Sequence, residues 1–191
     1  MNKIRHAVAL TSLLASLTAH AGVIEVLPGD GRATIYFYDP VGQSFTAEDE
    51  HINFGFYFSS LNPGTVNAPL TFSLVSGNGF GGTTLATQNF SLATGFTGYY
   101  DIDLSSTELV TGQQYTAFVS ADGLSPHWAV AFSSADVYAG GQAYSGGNPS
   151  AVDWAFRVTP TDLIGEVPEP ASLTLMAFGI AALRFARRKS T

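Results

Sequence analysis

The segment "HINFGFYFSS" places Ile52, Phe54, Phe56 and Phe58 at alternate positions, with Asn53, Gly55, Tyr57 and Ser59 between them. A hydrophobic period of two builds a strand with one buried and one wet face. The same alternation recurs through Leu70, Phe72 and Leu74, then through Tyr100, Ile102 and Leu104 opposite Tyr99, Asp101 and Asp103. It continues in Tyr115, Ala117 and Val119, in Trp128, Val130 and Phe132, and in Trp154, Phe156 and Val158. The intervening stretches carry turn chemistry: Gly29-Asp30-Gly31, Asn62-Pro63-Gly64, Gly77-Asn78-Gly79, Gly95, Gly112, Asp122-Gly123, Gly140-Gly141 and Gly146-Gly147-Asn148-Pro149. No stretch before residue 171 shows a capped helical period. Eight or nine short strands between Gly-rich turns predict an all-β chain. The expected fold is an antiparallel β-sandwich, jelly-roll-like, with a barrel as the lesser alternative. No internal repeat is visible.

The two ends break this pattern. Lys3 and Arg5 precede an apolar run from Ala7 to Leu17, and Ala19-His20-Ala21 is a small-x-small site. That order predicts a signal helix over residues 1–21, removed by signal peptidase after Ala21. At the other end, Ala171 to Leu183 is apolar or small except for Ser172 and Thr174. As a helix it would extend about 20 Å, shorter than the roughly 30 Å hydrocarbon core, with Arg184 able to snorkel. Arg187, Arg188 and Lys189 then favour a cytoplasmic end for this short transmembrane helix. The expected organisation is a leader (1–21), a sandwich body (22–160), a linker (161–166) and a tail (167–191).

Removing the ends changes the charge. The whole chain carries −7, but between Gly22 and Glu166 only Arg32 and Arg157 stand against fourteen acids, a net charge of −12. Such a body repels phosphate backbones and anionic lipid, so nucleic acid is excluded as a partner and only the tail is suited to membrane contact. Neutral glycans, cations and basic proteins stay open. The chain has no cysteine, which removes thiol catalysis and thiolate metal sites and leaves the core to hold by packing.

Candidate chemistry is sparse. Asp101 and Asp103 share a strand face about 7 Å apart, compatible with a glycosidase carboxylate pair and equally with a solvated surface. Glu48, Asp49 and Glu50 offer hard oxygen ligands for calcium, the one candidate cofactor; without a D-x-D-x-D-G loop, the competing reading is a solvated edge that discourages strand pairing. His51 and His127 lack zinc-ligand spacing, there is no G-x-S-x-G, and "GNGFGG" lacks the Lys and following helix of a phosphate loop. Trp128, Tyr138, Tyr144 and Trp154 fall in the C-terminal half. Tyr138 and Tyr144 sit in Gly-rich loop sequence and, with Trp128, are the candidates for stacking on sugar rings; the alternative for both tryptophans is a core anchor.

Val167-Pro168-Glu169-Pro170, the apolar stretch and the Arg-rich end together resemble a PEP-CTERM sorting signal. The two prolines hold Glu169 in extended backbone, a form that a protease-like active site can grip. The resemblance covers about 25 residues. It implies a Gram-negative-type bacterium, cleavage near the motif by exosortase, and delivery to the cell surface or extracellular matrix, in association with exopolysaccharide and biofilm. The body is loosely similar to the sandwich ectodomains of such proteins, which transfers no active site. The expectation is a noncatalytic exported protein; the alternative is a carbohydrate-binding, lectin-like module.

Overall fold

The structure is a computed structural model and describes residues 22–61, 69–121 and 128–161. The leader, residues 162–166 of the linker, the Val167–Pro170 motif, the apolar stretch and the basic tail lie outside the described residues. So do the turns at Asn62-Pro63-Gly64 and Asp122-Gly123, and His127.

The described residues are all-β, in two antiparallel sheets packed as a sandwich, with a single 3-10 turn at Ile35–Phe37. They form β1 (Ile24–Glu25), β2 (Gly31–Thr34), β3 (Val41–Thr46), β4 (Ile52–Ser60), β5 (Pro69–Ser76), β6 (Thr84–Ser91) and β7 (Thr97–Asp103). The remainder are β8 (Gln114–Ala121), β9 (Trp128–Ser133), β10 (Ala143–Ser145), β11 (Asn148–Ser150), β12 (Asp153–Trp154) and β13 (Phe156–Pro160). More strands occur than alternation predicts. β1, β10 and β11 are pieces of two or three residues, too short for a period of two to register; β2, β3 and β6 also lie outside the alternating runs, while β12 and β13 are the two parts of the predicted Trp154 to Val158 run.

In the first sheet, β4 pairs along one edge with β7. Its other edge is shared: β13 takes Ile52 to Phe56, and β9 takes Phe58 to Ser60. β12 and β13 form one strand interrupted at Ala155, whose N–H donates to Ala131 O (2.8 Å) and whose carbonyl accepts from Tyr57 N–H (2.9 Å). The short strands β2 and β1 finish the edges of β9 and β13. The second sheet runs β11-β10-β3-β8-β5-β6. From β2 to β9 the chain crosses between sheets at every step but one, β5 to β6: β2, β4, β7 and β9 belong to the first sheet, and β3, β5, β6 and β8 to the second.

The inward rows meet in an aromatic core. Phe54 of the first sheet lies 5.4 Å from Phe45 and 5.9 Å from Phe72 of the second. It also stacks on Phe156 at 5.7 Å and meets the edge of Phe56 at 4.9 Å. Phe58 and Phe90 join the sheets again at 5.8 Å. These spacings are those of favourable ring pairs, and burying each phenyl contributes about 1.5–3 kcal/mol. The alternating positions Ile52, Phe54, Phe56 and Phe58, and Leu70, Phe72 and Leu74, are all buried, which is the face assignment that the pattern predicts.

Candidate functional site

On the outer face of the first sheet, β1, β13, β4 and β7 bring Glu25, Arg157, Gly55 and Asp101 into one cross-strand row. Arg157 Nε donates to Asp101 Oδ1 at 2.8 Å, and its Nη2 pairs with Oδ2. The guanidinium also sits over the Tyr99 ring, 4.8 Å from its centroid. The Tyr99 hydroxyl donates to Val26 O (2.9 Å), and burial, followed by the Glu25 charge, pushes its pKa up. Asp103 accepts from Ser105 N–H at 2.9 Å, and its bonds from Ser105 hold its carboxyl below the usual range. The two acids of β7 are therefore engaged with different partners, one in an ion pair and one in a turn.

Glu48, Asp49 and Glu50 occupy the bend between β3 and β4, with Glu48 and Glu50 exposed and Asp49 half-buried. Among the described residues, no three His, Cys, Asp or Glu side chains converge in a way that could hold a metal ion.

The four aromatics of the C-terminal half do not form one stacking platform. Trp128 and Trp154 are 4% and 2% exposed, so neither presents a ring face to solvent. Trp154 Nε1 donates to Tyr144 O at 2.9 Å. Tyr138 lies in the loop between β9 and β10 but turns inward, its edge 5.3 Å from Phe156 and its hydroxyl accepting Thr46 N–H (3.2 Å). Asp153 fixes that loop. It is 1% exposed, and its Oδ2 accepts both Val137 N–H and Tyr138 N–H at 2.7 Å. Its Oδ1 accepts from Gln43 Nε2 at 3.0 Å, while Gln43 Oε1 accepts Trp154 N–H at 3.2 Å. Tyr144, expected in a loop, belongs to strand β10 and is 9% exposed. Its hydroxyl donates to Asn78 Oδ1 at 2.7 Å.

Asn78 marks a feature that sequence reasoning treated only as a turn. Gly77 and Gly79 hold φ of 81° and 96°, left-handed values that favour glycine. The buried Thr116 hydroxyl clamps both, accepting Gly79 N–H and donating to Gly77 O, each at 2.8 Å. Phe80 then folds back over the second sheet, 4.8 Å from Phe118 and 5.3 Å from Tyr144. It rests over Gly42, where a Cβ would lie 2.7 Å from its ring. Beside this clamped turn is an open groove of about 400 Å³, lined by Ser76, Asn78, Gln113, Gln114 and Tyr115. The sequence signal for it was the pair Gln113-Gln114 facing Asn78, legible only once the turn before β8 meets the turn after β5.

No curated protein matches the chain. Residues 166–189 match the family model described as the PEP-CTERM protein-sorting motif, so the chain carries that motif, the mark of an exported protein sorted by exosortase.

Proposed function

We propose that the chain is a noncatalytic body, exported and held by its tail at the inner membrane until exosortase cuts near Glu169. It then passes to the cell surface or extracellular matrix, in association with exopolysaccharide. The match at residues 166–189 is the observation that carries this reading. The reading includes a jelly roll for the body, supported by the nested order β2-β9-β4-β7 opposite β3-β8-β5-β6.

The two ends of the body support the handling. Thr161 N–H donates to His51 O at 3.0 Å, and Gly22 lies beside Glu48, so the leader junction and the tail leave from the same end of the sandwich. The carboxylates that a glycosidase reading needs, Asp101 and Asp103, hold Arg157 and Ser105 instead, which favours display over catalysis.

The test is Glu169→Ala in the producing bacterium. An unprocessed species retained in the inner membrane is expected; normal maturation and release would overturn exosortase dependence. A second reading, carbohydrate binding by the body, is favoured by the uncharged groove beside Asn78.

A further inference from the structure

We propose that the groove between the β5–β6 turn and the segment entering β8 binds a neutral polysaccharide, through amide side chains that pair with neighbouring hydroxyls. This rests on the reading of the body as an exported partner of exopolysaccharide.

The chemistry comes from the lining. An amide side chain offers an N–H donor and a carbonyl acceptor side by side, which two adjacent hydroxyls of a sugar ring can satisfy together. The groove holds three such amides, Asn78, Gln113 and Gln114, and no charged side chain lines it among the described residues. That is unusual surface for a body with fourteen acids and two cations. The surrounding negative charge repels an anionic polymer, so the matching ligand is a neutral one.

The donors and acceptors are arranged in advance. Tyr144 donates to Asn78 Oδ1, which turns the Asn78 NH2 group away from the tyrosine. Gln114 Nε2 donates to Gly140 O at 3.4 Å, leaving its Oε1 as an acceptor. Ser76 Oγ accepts Thr83 N–H at 3.0 Å and keeps its own hydrogen for donation. Tyr115 forms the floor, 6% exposed, its hydroxyl accepting Val110 N–H at 2.8 Å. The Thr116 clamp on Gly77 and Gly79 fixes the turn that carries Asn78. Ordering these groups beforehand lowers the entropy lost on binding. The volume of about 400 Å³ falls within the span of small-ligand sites, about 300–1,000 Å³.

This reassigns Tyr144. It is not a stacking surface but a positioning residue that sets the Asn78 amide.

The experiment uses the mature protein in affinity electrophoresis through dextran or galactomannan, with alginate as the anionic contrast. Retardation by a neutral polymer is expected. Asn78→Asp combined with Gln113→Ala should weaken it about tenfold or more, since each lost hydrogen bond is worth about 1 kcal/mol. Both positions are exposed, so the melting temperature should hold. Tyr144→Phe should weaken binding in the native background and have no further effect on top of Asn78→Ala, which a merely structural tyrosine would not do. Equal retardation of wild type and the double variant would overturn the groove while leaving glycan binding by the body intact. Retardation by alginate alone, or by no polymer, would overturn glycan recognition of this class altogether, whatever the outcome for Glu169→Ala.

Discussion

Arg157 reaches Asp101 over the backbone of Gly55, the residue that stands between them in the strand row. A Cβ at position 55 would collide with the Asp101 carboxylate and come within 3.2 Å of Tyr100 O. The glycine that weakens the middle of β4 as a strand is what lets the ion pair lie flat on the sheet. The pair is about one-third exposed on each side, so water screens it and its net contribution is at most about 1 kcal/mol. Gly55→Ala should therefore cost about 1 kcal/mol in urea unfolding. In an Asp101→Ala background the same substitution should be nearly neutral, because the colliding carboxylate is gone. An equal cost in both backgrounds would place the strain on Tyr100 O rather than on the ion pair.

Asp153 joins the two sheets from inside. Its carboxylate receives Val137 N–H, Tyr138 N–H and the Gln43 amide. Asp153→Ala strands the buried Gln43 amide and two part-buried N–H donors and should cost about 2–3 kcal/mol. Asp153→Asn keeps one oxygen for the backbone donors and should cost less. Both variants should release the 134–142 loop, visible as faster chymotrypsin cleavage after Tyr138. A variant that melts early without new cleavage at that site would show that the loop is held by Tyr138 packing on Phe156 instead.

The fold was legible where the period of two ran long enough to outweigh turn signals, as in β4 and β5, whose alternate positions are buried without exception at Ile52 through Phe58 and Leu70 through Leu74. It was not legible in β10 or at the Asp153 end of β12, where two or three residues are held by neighbours distant in sequence. Ala143 pairs with Gln43 and Asp153 with Ser133, and no local pattern announces either. For the same reason Tyr144 read as a loop residue: its Gly-rich surroundings describe a hairpin turn, while β3 makes it a strand. Side-chain alternation placed Asp101 and Asp103 on one face but carried no word of Arg157, which arrives from a strand more than fifty residues on. The groove depends on two turns meeting, and its amides are ordinary turn residues when each is read alone.

Calcium removal should leave the body unchanged. Glu48 and Glu50 are both exposed on the bend, and no third acid converges with them among the described residues. A hard cation prefers six to eight oxygens, so two exposed carboxylates on one bend give it only weak, exchangeable contacts. Thermal melting of the mature protein with a chelator and with millimolar calcium should give the same midpoint. A rise of several degrees with calcium would restore the acidic run as a site.

High pH should destabilise the protein through three phenols shielded from water, Tyr144 buried and Tyr99 and Tyr138 partly so. Burial is the first cause that raises Tyr99, Tyr138 and Tyr144 above their ordinary value of 10.0. The Glu25 charge adds to it at Tyr99, while the Thr46 N–H partly offsets it at Tyr138. A protonated phenol is neutral, so the folded state holds these protons more tightly than the unfolded chain does. Above the unfolded value the native state therefore binds more protons, and stability falls as pH rises. The tyrosine contribution is fully present below about pH 10 and is lost as pH climbs through the raised native values. Melting temperature should decline from about pH 10 upward, with tyrosinate absorbance appearing together with unfolding at these positions. Replacing all three with phenylalanine removes the titrating hydroxyls at the expense of the bonds to Val26, Thr46 and Asn78. The triple variant should start lower in melting temperature at neutral pH yet fall less steeply in alkali. An undiminished alkaline slope in that variant would move the cause to groups other than these three.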